Sequence, residues 1–116
     1  MHNYKELRVY KQAMDFAKSI YAYTNTFPEH ERYGLSSQLR RAAVSVPSNI
    51  AEGCGRGTNK STARFISIAI GSLYEVDTQV VLAEQLGYGL CSELKVEILS
   101  IKRQLVKFRK VLTLQA

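Results

Sequence analysis

Chain-breaking residues divide this sequence into four stretches of similar length, and this division limits the folds open to it. The breakers are Phe27-Pro28, the glycines at positions 53, 55 and 57, and the run Gly87-Tyr88-Gly89. Within each stretch apolar residues recur at intervals of three and four, and none shows the alternation of a strand. The predicted helices cover about residues 4–24, 29 or 35–53, 59–86 and 92–114. The sequence therefore predicts an all-α protein, an antiparallel up-and-down four-helix bundle forming one domain over residues 1–116.

The first helix carries two apolar stripes, which is more apolar surface than one face of a bundle helix needs. One stripe has the spacing of a bundle seam and contains Leu7, Tyr10, Met14, Ala17, Tyr21 and Thr24. We interpret the second stripe as an interface with another subunit, formed by Val9, Ala13, Phe16, Ile20 and Tyr23. The alternative is a helix covered on both sides by its own bundle.

The second predicted helix is unusually polar for a bundle helix. A polar residue at a seam position can fix register or oligomeric state, and Asn49 lies at one. We predict a structural polar network of Arg40, Arg41, Ser45, Ser48, Asn49, Glu52 and Glu75. In it, Glu75 of the third helix pairs with an arginine of the second. A catalytic acid-base site is the alternative, although neither a nucleophile nor a metal-ligand set accompanies these residues.

The glycine-rich segment 53–61 is similar to a phosphate loop but departs from the known patterns. Asn59 stands where the Walker pattern needs a glycine before Lys60-Ser61, and no strand precedes the segment. A tight turn between two helices also explains the glycines. Arg56, Lys60 and Arg64 surround the start of the third helix, whose free N–H groups attract anions. A nucleic-acid phosphate is therefore a candidate ligand there.

The fourth predicted helix concentrates positive charge in a chain whose net charge is +6. After Glu97 the sequence has no acidic residue but five cations, Lys102, Arg103, Lys107, Arg109 and Lys110, and Lys95 joins Lys102 and Arg109 on one side. A phosphate backbone would relieve the repulsion among these charges, whereas the alternative is a solvated helix face. The face has no interleaved aromatic residues, so we do not expect base stacking on it.

Other features predict a cytoplasmic protein without membrane association. The polar N-terminal residues show no apolar segment typical of a signal peptide, and no apolar run reaches the ~18 residues of a membrane span. Cys54 and Cys91 are too few for a disulfide framework, so we expect two free thiols. The two histidines have no metal-ligand spacing, and we predict neither a metal nor a cofactor.

One long block of the second helix resembles a known family. The block reads Arg40-Arg41-Ala42-Ala43-Val44-Ser45-Val46-Pro47-Ser48-Asn49-Ile50-Ala51-Glu52-Gly53, and it follows Phe27-Pro28 and Glu31-Arg32-Tyr33-Gly34-Leu35. Together these residues resemble the four-helix bundle family of 23S rRNA intervening-sequence proteins. The resemblance continues through Arg64-Phe65, Ile68-Ala69, Gly71-Ser72-Leu73, Glu75 and Leu86-Gly87-Tyr88. It implies a bundle that assembles into rings, with the pentamer as the expected form, and no established enzymatic activity.

The resemblance also bears on partners. Some family members are encoded by insertions within bacterial large-subunit rRNA genes. The family is also similar to the accessory variability proteins of diversity-generating retroelements, which bind a reverse transcriptase and nucleic acid. Charge and resemblance together favour a non-enzymatic oligomer that binds nucleic acid, RNA in particular, through its basic surface. The alternative is a protein-protein scaffold, or an accessory subunit of a nucleic-acid enzyme such as a reverse transcriptase.

Overall fold

All four predicted helices form in the computed structural model, which describes residues 3–115. They are α1 (Arg8–Thr24), α2 (Leu35–Cys54), α3 (Asn59–Gln85) and α4 (Ser92–Leu114). Short 3-10 turns, Tyr4–Glu6 and Glu29–Glu31, precede α1 and α2, and no strand occurs among the described residues. Each helix packs against the next, and α4 closes the bundle by packing against α1. The prediction of an all-α, antiparallel up-and-down four-helix bundle is confirmed.

Side chains from all four helices fill one apolar core along the 46 Å length of the molecule. The largest fully buried ones include Phe16, Ile20, Leu39, Ile66 and Leu105. Burying each such side chain contributes about 1.5–3 kcal/mol relative to leaving it exposed. Helix α3 is also long and apolar enough to cross a membrane by length and composition, a test that core helices commonly pass.

The α1 stripe that we assigned to a subunit interface lies inside the bundle. Val9, Ala13, Phe16 and Ile20 all belong to the core, and none exposes more than 7% of its surface. A side chain that its own bundle encloses cannot contact a second subunit, so this assignment is wrong. The fifth residue, Tyr23, is half-buried at the end of the bundle. The alternative interpretation, a helix covered on both sides by its own bundle, applies to this stripe because α1 packs between α2 and α4.

The exposed apolar surface of α1 belongs instead to the other stripe. Met14 and Tyr21 are 40% and 45% exposed, and both face a groove between α1 and α2. The groove has a volume of about 520 Å³, and α2 contributes Val44 and Pro47 to it. The exposed apolar side chains of α1 thus lie on the stripe that contains Tyr10 and Tyr21.

Part of the predicted polar network forms between α2 and α3. The hydroxyls of Ser45 and Ser72 lie 2.8 Å apart, and Asn49 Nδ2 donates to the Ser45 carbonyl at 2.8 Å. Gly53 allows the two helices to approach closely, since a Cβ there would lie 2.8 Å from Phe65 Cβ. Ser72, which the prediction did not include, is thus the α3 partner of this network.

The remaining predicted members have other places. Arg40 donates to the Thr24 hydroxyl (2.8 Å) and to Asn25 Oδ1 (2.9 Å), which ties α2 to the end of α1. Glu52 pairs with Arg56 at 3.0 Å. The other three, Arg41, Ser48 and Glu75, are exposed. No ion pair joins Glu75 to an α2 arginine within residues 3–115, so that part of the prediction is wrong.

Carboxylates organise the end of the bundle where the loops 25–34 and 86–91 meet, here called the capped end. Glu31 accepts hydrogen bonds from the Leu35 N–H (3.1 Å) and the Tyr88 hydroxyl (2.8 Å). Glu84 accepts one from the Cys91 N–H at 3.2 Å. These bonds, the backbone N–H first in each case, lower the pKa of both carboxyl groups. The two acids thereby satisfy free N–H groups at the starts of α2 and α4.

Candidate nucleic-acid interface

Half of the chain's cations lie in one part of the bundle that contains no acid. This part, the basic half, comprises residues 53–74, from the end of α2 to the middle of α3, and residues 98–115 of α4. It holds eight Lys and Arg side chains and no Asp or Glu, whereas the rest of the chain has eight cations and ten acids. Because α3 and α4 are antiparallel neighbours, the two segments pack along each other.

Two of the predicted cations of α4 contact α3 directly. Arg109 donates from Nη1 to the Ser67 hydroxyl at 3.2 Å. Two turns earlier in α4, Lys102 Nζ lies 5.3 Å from the ring centroid of Tyr74. These contacts hold both long side chains along the groove between the helices, so their charges are placed by the fold.

A cleft of about 470 Å³ brings the two predicted basic regions together. It lies between the start of α3 and the end of α4, and Lys60, Arg64 and Arg109 line it. Hydroxyl groups complete the lining, from Thr58, Ser61, Ser67 and Thr113. Three cations with several hydroxyl donors are the groups that proteins use to bind phosphate oxygens.

The start of α3 offers an anion in this cleft fewer free N–H groups than the sequence suggested. Thr58 caps the helix, and its hydroxyl accepts a hydrogen bond from the Ser61 N–H at 3.1 Å. One N–H group that an anion would otherwise reach is therefore already satisfied. Attraction of an anion rests mainly on the three cations.

Most of the nine predicted cations form no ion pair with another described residue. Two are paired: Arg56 with Glu52 at 3.0 Å, and Lys95 with Glu84 at 3.7 Å. Within residues 3–115 the others form no ion pair, and they are Lys60, Arg64, Lys102, Arg103, Lys107, Arg109 and Lys110. Arg103, Lys107 and Lys110 are exposed on the outer surface of α4. Two of the nine cations are thus neutralised by an acid, and the other seven remain available to bind an anion.

Tyr74 and Ser67 are the site residues that sequence reasoning missed. Tyr74 supplies an aromatic ring to the basic half, although the basic face of α4 has none of its own. The sequence did contain a signal for these two contacts. Tyr74 and Lys102 each lie fourteen residues from Tyr88, on opposite sides of it, and Ser67 and Arg109 each lie twenty-one residues from it. Residues equally distant from the turn of an antiparallel helix pair face each other.

The remaining candidates for chemistry are the two cysteines and the side chains that could bind a metal ion. Both cysteines are free and buried, and burial raises the pKa of the Cys54 and Cys91 thiols, so neither is an activated nucleophile. The described part of the chain contains no group of three or more His, Cys, Asp or Glu placed to hold a metal ion.

Comparison with known protein families gives a match over most of the chain. Residues 5–113 match the family described as 23S rRNA-intervening sequence protein. No curated protein sequence matches the chain. Because the family match spans nearly all of a four-helix chain, the protein belongs to the 23S rRNA-intervening sequence protein family.

Proposed function

We propose that this protein binds RNA through the basic half and catalyses no reaction. The observation that supports the proposal is the convergence of Lys60, Arg64 and Arg109 on one cleft within an acid-free region. Seven cations form no ion pair with another described residue and repel one another, and RNA phosphates would neutralise them and release bound salt ions. Such binding depends on the backbone and is sensitive to salt.

A salt titration of RNA binding tests the proposal. We expect affinity for a structured RNA to fall steeply with salt. In the variant Lys60→Gln/Arg64→Gln/Arg109→Gln, we expect the slope of log K against log salt to flatten by about 2–3, as for three lost phosphate contacts. The matched control neutralises Lys11, Lys18 and Arg32, which lie outside the basic half, and should leave the slope unchanged. RNA affinity that is absent at low salt, or independent of salt, would contradict the proposal.

We further propose that the protein acts in the cytoplasm as a homo-oligomer, with the pentamer as the expected form. The groove between α1 and α2 supports self-association, because it exposes Met14, Tyr21 and Val44 together. Exposed apolar and tyrosine side chains grouped in this way are common at protein interfaces. An assembly would also multiply the positive charge presented to RNA.

The same groove supports a second candidate function, that of an accessory subunit for a nucleic-acid enzyme such as a reverse transcriptase. Light scattering tests self-association through the groove, and binding to a purified reverse transcriptase tests the accessory role. If the face joins copies of this chain, Val44→Asp should lower the particle mass, whereas Thr78→Asp on the exposed side of α3 should not. A monomeric wild-type protein would contradict self-association. Failure of a purified reverse transcriptase to bind would contradict the accessory role.

A further inference from the structure

We infer that the basic half binds unpaired nucleotides and that one base stacks on the ring of Tyr74. This inference rests on the proposed function, since the phosphates of the same strand bind the cations described above. It replaces the expectation, drawn from α4 alone, that base stacking plays no part. The stacking ring is contributed by α3, the neighbour across the groove.

The Tyr74 side chain is available for stacking. It is 55% exposed although it lies on the long central helix of the basic surface. The Lys102 ammonium lies 5.3 Å from its ring centroid, and a cation in that position covers at most one face of the ring. The contact also restrains the ring, so a base that stacks on it loses less freedom than it would on a mobile side chain.

The position of Tyr74 relative to the phosphate-binding cleft fits a single strand. Tyr74 and Ser67 are two turns apart on α3, a distance of about 10 Å, and the same distance separates Lys102 from Arg109 on α4. A strand whose phosphates contact Arg109 in the cleft can therefore follow the groove and reach Tyr74 with a base. Lys102, on the opposite face of the ring from the base, would then lie near the next part of the backbone.

Charge limits the path of the strand to the basic half. Beyond Tyr74, the next residues of α3 include Glu75 and Asp77, and Glu84 neutralises Lys95 further along. These carboxylates would repel phosphates. The favourable region thus begins at the cleft and ends at Tyr74, which is the one exposed aromatic side chain among the described residues of the basic half.

The ring discriminates against double-stranded nucleic acid. Bases within a helix are already stacked on their neighbours and present only their edges, whereas an unpaired base has a free face. Stacking on an aromatic side chain is tolerant of base identity, because every base has a π-face. The ligand class is therefore a loop, bulge or single-stranded end of any sequence.

The test compares oligonucleotides with and without bases. Fluorescence anisotropy would measure binding of a labelled single-stranded RNA of about ten nucleotides, an abasic strand of the same length, and a duplex. We expect Tyr74→Ala to weaken binding of the base-bearing strand about 5- to 150-fold, and to leave the abasic strand and the duplex unaffected. Tyr74→Phe should bind like the wild type, since it keeps the ring.

Tyr33→Ala is the matched control, because Tyr33 is also an exposed tyrosine, 87% exposed, and the Arg32 guanidinium lies 5.4 Å from its ring centroid, but it lies at the capped end, outside the basic half. Equal binding of base-bearing and abasic strands by the wild type would overturn the stacking inference. So would an equal loss of all three ligands in Tyr74→Ala. In both cases salt-dependent binding of the abasic strand would leave the proposed function standing. Absence of binding to all three ligands would overturn the proposed function itself.

Discussion

Carboxylates at the capped end are bound by the chain's own donors, whereas the cations of the basic half mostly face solvent with no acid to neutralise them. Glu31 and Glu84 each accept a backbone N–H at the start of a helix. In contrast, Arg103, Lys107 and Lys110 make no ion pair within the described residues. One set of charges therefore contributes to folding, and the other raises the energy of the fold slightly while remaining available to a partner.

This difference shows how a small bundle can separate stability from binding. The capped end adds aromatic packing to its hydrogen bonds, since the Phe27 ring lies 5.0 Å from that of Tyr23 and 5.1 Å from that of Tyr88, centroid to centroid. The basic half contributes to the same core from its inner side, but its outer side is charged. Changes at the two places should consequently affect different measurements.

The largest expected effect is on stability, from a change at the capped end. Phe27→Ala removes a ring that is only 8% exposed, and we expect a loss of about 3–5 kcal/mol in the free energy of unfolding. Urea denaturation would measure it, with Tyr33→Ala as the exposed control expected to change little. RNA affinity of the remaining folded protein should stay within about twofold of wild type. A parallel loss of affinity would contradict the separation.

A smaller effect is expected from acid, again at the capped end. Because the folded-state pKa values of Glu31 and Glu84 lie below their usual value of 4.5, both ionised carboxylates stabilise the fold at neutral pH. That stability should be lost as the pH falls below the usual value and through the folded-state pKa. The variant Glu31→Gln/Glu84→Gln should be less stable than wild type at neutral pH, and the difference should shrink in acid. A difference independent of pH would exclude this role.

The smallest expected effect has the opposite sign and belongs to the basic half. Lys107→Glu places an acid four residues after Arg103 and three before Lys110, and each new pair should add about 0.2–0.5 kcal/mol to stability. RNA affinity should fall in the same variant. As a control, Lys18→Glu on α1 breaks the pair with Asp15 and should lower stability slightly without altering affinity. A destabilised Lys107→Glu would contradict the idea that these cations repel one another.

Periodicity predicted the helices because each boundary has a local chemical cause. The observed range of α4 is the predicted 92–114, and α3 ends at Gln85, just before Gly87 adopts a φ of +82°. The first helix begins later than predicted, at Arg8, because Leu7 has an extended backbone after the 3-10 turn. Such a short interruption leaves the spacing of apolar residues unchanged, so the pattern did not reveal it.

The face of α1 that enters the core could not be decided from spacing alone. Both stripes have helical periods, and the choice depends on where α2 and α4 lie. Residue type held a partial signal, because the stripe with the exposed positions contains Tyr21, whose hydroxyl favours water, while the buried stripe contains Phe16 and Ile20. The basic cleft was likewise predicted as two separate regions, since only the pairing of α3 with α4 joins Arg109 to Lys60 and Arg64.

The separation of charge along a molecule 46 Å long and about 20 Å wide also affects how it meets a partner. The bundle has an electric dipole, with the basic half positive and the remainder slightly negative. In the field of a polyanion such a rod turns before contact, so collisions that begin with the wrong orientation can still become productive. Association would therefore be fast at low salt, while the lifetime of the complex would depend on short-range contacts such as the one at Tyr74.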